Sequence, residues 1–190
     1  MNWYMQSGND SDVAISTRIR FARNLNGFKF NLTNKDEIEK IENKIKENLY
    51  AIGYSLKFFK LKDMDEITKT SLVEKNIVSP DFIVNNNETG SILINDEENI
   101  CIMINEEDHL RIQVFNSGLD LENVLNLAVE LDEKIGEVLN YAVSKKYGYL
   151  TSCPSNCGTG LRASVMLHLP ALKLTRKHWK SIKSYKKFWN

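Results

Sequence analysis

Ile38, Ile41, Ile45, Leu49 and Ile52 recur at steps of three and four through an otherwise charged stretch, which predicts an amphipathic helix over residues 35–50. Thr33 or Asn34 can cap it, with Glu37 in the first turn. A shorter helix is predicted over 64–75, ending before Ser79-Pro80 because a proline pushes its predecessor out of the helical region. The period then changes. Residues 91–95, 99–104 and 110–115 are β-branched runs separated by short polar turns, the pattern of an antiparallel meander. Leu121, Val124, Leu125, Ala128, Leu131 and Ile135 restore helical spacing over 119–135. Two further strands are predicted at 149–152 and 163–169, flanking a glycine-containing loop. Strands in succession with helices before and after predict an α+β fold, an antiparallel sheet flanked by helices that cover one side.

Composition narrows the class. At 190 residues with 42% hydrophobic and 26% charged side chains, the chain can bury a core and is neither disordered nor fibrous. Its 25 Lys and Arg balance 25 Asp and Glu, but six of the basic residues fall in 176–190, where there is no acid. The remaining body holds 19 basic against 25 acidic residues, so whole-surface attraction to nucleic acid or an anionic membrane is not expected. Three cysteines make no disulfide framework, the first ten residues have no signal-peptide pattern, and no apolar run approaches a membrane span. A reduced cytoplasmic location is the expectation.

Three segments carry more polar chemistry than a fold requires. In Ser16-Thr-Arg-Ile-Arg20, Arg18 and Arg20 share one face of a strand. They read as a solvated edge or as a clamp for a polyanion, whose oxygens an arginine fork binds in pairs. Asn105-Glu-Glu-Asp-His109, followed by Leu110-Arg111, is either a polar turn or three carboxylates that orient a cation or hold magnesium through water. Cys153-Pro-Ser-Asn-Cys-Gly-Thr-Gly-Leu-Arg162 lacks the spacing of a P-loop and has no second cysteine pair for zinc. It reads as a glycine-bearing connection, or as a cysteine placed beside backbone amides and an arginine, surroundings that activate a thiol.

Taken together and in order, STRIR, NEEDHLR and CPSNCGTGLRASVMLHLP resemble the catalytic domain of the guanidino (phosphagen) kinases, which move phosphate between ATP and a guanidinium nitrogen. The wording HLRIQ and RASVMLHLPAL, and the fifteen residues ahead of Ser16, are more similar to the bacterial protein arginine kinases than to the small-molecule branch. The resemblance implies the glutamine-synthetase/guanidino-kinase catalytic fold, ATP and Mg2+ as cofactors, and arginine side chains of proteins as acceptors, with stress regulators or proteolysis adaptors as partners. By position it implies that Arg18, Arg20, Arg111 and Arg162 grip phosphates. Ser16, Thr17, Ile19 and Asn76, with Ala163, Ser164, Val165 and Met166, would flank the nucleotide. Glu107 would hold the guanidinium as general base, Glu106 and Asp108 would support it through magnesium-bound water, and Cys153 would be the reactive cysteine.

The match runs from about Asp12 to Thr175, and residues 1–175 read as the N-terminal portion of such a catalytic domain, incomplete at its C-terminus. Residues 176–190 depart from it as a basic, aromatic tail holding two of the three tryptophans; truncation of a longer family member is the expectation, and nucleic-acid binding through the tail is the rival. Asn76 stands where the family branch has a histidine, and Cys157 where it has an apolar residue. The expected function is ATP-dependent guanidino phosphotransfer, with a catalytically impaired, nucleotide-binding regulatory remnant as the alternative.

Overall fold

Arginine alternates with isoleucine and phenylalanine along Ala14–Arg23 (β1), so odd-numbered side chains go to one face of the sheet and even-numbered ones to the other. The computed structural model describes residues 2–30 and 34–170; the basic segment 176–190 lies outside them. After β1 come α1 (Lys35–Leu49), β2 (Leu56–Lys60), α2 (Glu66–Glu74), α3 (Pro80–Asn85), β3 (Ser91–Asn95), β4 (Ile100–Ile104) and β5 (Leu110–Ser117). These are followed by α4 (Leu121–Val138), β6 (Val143–Ser144), β7 (Gly148–Tyr149) and β8 (Leu161–Leu167). Six strands form one antiparallel sheet in the order β2-β3-β4-β5-β1-β8, and β6 pairs with β7 in a separate ribbon.

Local chemistry sets the helix starts. The Asn34 side chain accepts from the Asp36 amide at 2.9 Å, Asp65 from Thr68 at 2.8 Å, and Ser79 from Phe82 at 3.1 Å, with Pro80 opening α3. The meander β3-β4-β5 follows the sequence pattern, as do α1, α2, α4 and β8 within a few residues. β2 and α3 are additions that the pattern does not predict. The strand expected at 149–152 is mostly loop: only Gly148–Tyr149 pairs, and Ser152 lies in a bend.

Helices cover both faces of the sheet, not one. On one face Ile41, Ile45 and Leu49 of α1 and Val124, Ala128, Leu131 and Ile135 of α4 pack on Ile19, Phe21, Leu93, Ile102, Ile112 and Val114. On the other, Leu72 of α2, Phe82 of α3, Ile77, Val78 and Trp3 pack on Ile92, Ile94, Cys101, Met103 and Phe115. This second cover lies over β3, β4 and the far end of β5. The rest of that face, along β5, β1 and β8, carries the arginines. Among the described residues no helix is long and apolar enough to cross a membrane.

Candidate active site

Strand register assembles the cationic face. Arg20 on β1 stands between Gln113 of β5 and Arg162 of β8; Arg18 stands between Phe115 and Ser164; Arg111 of β5 faces Ala22 of β1. Arg18 Nε reaches the Ser164 hydroxyl at 3.4 Å. Arg20 Nε is buried with no hydrogen-bond partner among the described residues. Burial, together with the charges of Arg18, Arg111 and Arg162, brings the Arg20 guanidinium down to about 10, with Glu106 pulling the other way. Arg18 is lowered by burial and then by Arg162 and Arg111. Cations held this close, with an unused donor among them, fit a polyphosphate: its oxygens would supply the missing acceptors and charge.

The β4–β5 turn supplies the carboxylates. Asn105 takes a left-handed backbone (φ 57°) and its amide donates to the His109 carbonyl at 3.1 Å, which folds Glu106, Glu107 and Asp108 into a tight turn. Glu106 accepts from Arg111 Nη1 at 2.7 Å and from the Glu107 amide at 2.6 Å, so it fastens its neighbour to the arginine face. Glu107 is left 45% exposed, 3.9 Å from Arg111 Nη2. Asp108 turns inward: 4% exposed, it accepts from Asn24 Nδ2 at 2.6 Å and from the Ser152 amide at 2.7 Å.

The Ser152 contact ties this turn to the cysteine loop. Gly148 and Gly158 close the loop's base at positive φ, where a Cβ on Gly148 would meet the Gly158 carbonyl at 2.6 Å. Thr151 Oγ1 donates to the Cys153 carbonyl at 2.8 Å, and the Asn156 amide to the same carbonyl at 3.0 Å. Cys153 Sγ lies 3.0 Å from Ser155 Oγ.

Arg20, Arg111, Arg162, Glu107 and Cys153 thereby line one cleft of about 180 Å3, together with Ser155, Asn156, Gly160, Phe21 and Ala22. Arg18 and Ser164 continue its floor, and Met166 follows on the same face of β8, opposite Ser16. The other residues singled out by sequence lie elsewhere. Ile19 is in the core under α4; Ala163 and Val165 sit opposite Ile19 and Thr17, on the α4 side of β8. Thr17 Oγ1 is spent at the start of α4, donating to the Gly118 carbonyl at 2.7 Å and accepting from the Asp120 amide at 2.9 Å. Ser16 is buried. Asn76, at φ 59°, ends α2 beside Ile77, whose carbonyl accepts from Gln113 at 2.8 Å; it borders the arginine face without lining the cleft. Sequence reasoning missed Ser155, for which the only signal is a hydroxyl two residues beyond the cysteine.

The arrangement can bind a chain of phosphates on one wall and a planar cation on the other. Among the described residues no group of three or more His, Cys, Asp or Glu side chains is arranged to hold a metal by itself. Magnesium draws most of its ligands from water and phosphate, so the exposed Glu107 and the anchored Glu106 suit a metal brought in with a nucleotide.

A family model described as ATP:guanido phosphotransferase, C-terminal catalytic domain, matches residues 37–188, and the chain belongs to that family. Among curated proteins it is similar to the protein-arginine kinases of Geobacillus sp. (45% identity over 181 residues, 93% of this chain and 50% of that one) and Clostridium tetani (41%, 93% and 52%). The chain thus spans about half the length of the curated relatives it matches. In structure it resembles the duplicated taurocyamine kinase of Schistosoma mansoni bound to transition-state-analogue components (TM-score 0.79, 31% identity, 90% of this chain and 25% of that one). It also resembles lombricine kinase (TM-score 0.69, 27% identity, 86% and 50%).

Proposed function

We propose that the chain binds Mg·ATP and passes the γ-phosphoryl group to a guanidinium nitrogen of a protein arginine. The observation that carries this reading is the meeting of Arg20, Arg111 and Arg162 with Glu107 and Cys153 in one cleft. Phosphoryl transfer asks a protein mainly for alignment and for positive charge around the moving group. Arg18, Arg20, Arg111 and Arg162 supply that charge in fixed positions. Glu107 binds the acceptor guanidinium and takes the proton that leaves its nitrogen. The sulfur of Cys153 meets the same cation and so helps present a nitrogen lone pair to phosphorus. Glu106 holds Arg111 and the Glu107 backbone together, and so sets the Glu107 carboxylate beside the arginines. Magnesium would neutralise charge on the phosphates, with a water of its shell resting on Glu106. Asp108 serves from behind, joining the carboxylate turn to the cysteine loop.

The names of the curated relatives support protein arginine as the acceptor. Stress regulators or proteolysis adaptors as substrates, and a cytoplasmic location, belong to the same proposal. The test is transfer of labelled γ-phosphate from Mg·ATP to an arginine-rich protein, with the product treated by acid and by alkali. Acid-labile label that disappears with Glu107→Gln supports the assignment. Nucleotide binding without label would make the chain a phosphate-binding module that lacks the chemistry.

A further inference from the structure

Arg23 is the largest fully buried side chain among the described residues, 2% exposed, and it points away from the cleft. As an odd-numbered residue of β1 it goes to the α4 face. There its Nε and Nη2 meet Asp132 of α4 at 3.0 and 2.6 Å, and Tyr141 Oη donates to the same carboxylate at 3.2 Å. The third nitrogen, Nη1, donates at 2.8 Å to the carbonyls of Ala22 and Thr159. The guanidinium plane rests 3.6 Å from the centre of the Tyr149 ring, with Phe21 at 4.8 Å.

Thr159 and Tyr149 stand at the two ends of the cysteine loop. The Tyr149 and Gly158 backbones are joined in a bridge of 2.9 and 3.2 Å, and the Ala22 amide donates to the Gly160 carbonyl at 3.0 Å where β8 begins. One side chain therefore grips both feet of the loop that carries Cys153 and the entry to the strand that carries Arg162, and a carboxylate on a helix fixes that side chain in turn. An apolar residue of similar size would fill the space but could not reach a carboxylate, two carbonyls and a ring face at once. Burying an ion pair costs desolvation that an apolar pair avoids, so its directional bonds are what distinguish it.

We propose that Arg23, oriented by Asp132, is a positioning residue that sets Cys153 and Arg162 in the cleft. The inference rests on the reading of those two as site residues, but its test requires no phosphoryl transfer. In a Cys157→Ser background of the full chain, Cys153 is the accessible thiol, because Cys101 is buried. Its alkylation rate is followed across the pH range in which thiols ionise, alongside a thermal melt. Arg23→Lys keeps the charge and loses the fork; Asp132→Asn keeps the shape and loses the charge. Each is expected to melt cooperatively and to shift the Cys153 rate profile by about tenfold or more, in line with the sensitivity of site chemistry to displacements of about 1 Å. Profiles that superimpose on the parent while only the melting temperature falls would overturn the proposal and leave Arg23 a core ion pair. Should Arg23→Lys fail to fold, Tyr149→Leu, which spares the ion pair and removes the ring, is read by the same two outcomes. Because alkylation is independent of ATP, a chain without kinase activity still reports on the role of Arg23.

Discussion

Arg20 and Arg162 stand directly opposite one another across the β1–β8 ladder, and the residue flanking Arg20 on its other side is the neutral Gln113. Like charges in facing positions destabilise a sheet pair, typically by a few tenths of a kcal/mol to about 1 kcal/mol. The ligand-free fold carries that repulsion where a phosphate chain would relieve it.

Replacing Arg162 by Gln separates the two roles. The ligand-free chain should become slightly more stable, by up to about 1 kcal/mol. Affinity for Mg·ATP should fall by roughly ten- to a hundredfold, the loss of a charged hydrogen-bond partner worth about 1.5–3 kcal/mol. A urea titration and a calorimetric binding curve measure both; unchanged nucleotide affinity would remove Arg162 from the phosphate wall.

Thiol chemistry should divide the three cysteines. Cys101 lies under α2 and α3 on β4, and burial, with the charge of Glu98, pushes its thiol up to about 12. Iodoacetamide should label Cys153 and Cys157 in the native chain and spare Cys101, whereas all three should react in denaturant. Peptide mass spectrometry distinguishes the three sites, and rapid native labelling of Cys101 would contradict the packing of β4.

His109 makes stability depend on pH. The Leu25 amide donates to Nδ1 at 3.0 Å, so Nε2 carries the ring proton and donates to the Lys29 carbonyl at 2.9 Å. Burial lowers the folded-state pKa below the ordinary 6.5, although the Lys29 bond and Asp108 oppose it. Below about pH 6.5 the unfolded chain therefore binds more protons than the folded one. The contribution is complete above that pH and is lost as pH falls from the unfolded toward the folded pKa. Melting temperatures should decline over this interval, with a shallower slope in His109→Gln.

Gly160 lies at φ 63°, and a Cβ there would meet Arg23 Nη1 at 2.5 Å and the Ala22 carbonyl at 2.6 Å. Gly160→Ala should cost about 1–3 kcal/mol. Gly53→Ala is the control: φ is 79°, but nothing lies within 4 Å of the added carbon, so its penalty should be smaller. Equal urea midpoints for the two variants would show that the contact with Arg23 carries no strain.

Long periodic segments are legible in the sequence. The isoleucines of α1 and the β-branched runs of the meander bury the side chains that their spacing selects, and the α4 stripe buries Val124, Ala128, Leu131 and Ile135 but leaves Leu121 exposed and Leu125 half-buried. Shorter elements are not: α3 spans six residues, and β2 is a five-residue run whose pattern alone does not distinguish strand from loop. Residues 149–152 mislead because strand pairing stops at Tyr149, which meets Val143 and Gly158, and the chain then bends at Ser152 into the cysteine loop. Phe82, which helps close the second face, comes from the unpredicted α3. In the site, residue type alone leaves each of the three segments open to a plain structural reading, and only their order and spacing together single out the arginines, the acids and Cys153. The direction of each acid depends on turn geometry, so nothing in three consecutive carboxylates reveals that Asp108 faces inward. Arg23 is equally opaque, because its partner Asp132 is 109 positions away and only topology joins them.

The alternation along β1 also guards its own alignment. Sliding the strand by one residue against β5 would carry Arg18 and Arg20 beneath α4 and turn Ile19 and Phe21 out to water, while Arg23 would lose Asp132. Every such misthreading would strand charged groups in the apolar layer. The guanidiniums that form the cleft thus act, during folding, as a proofreading code against slips by an odd number of residues.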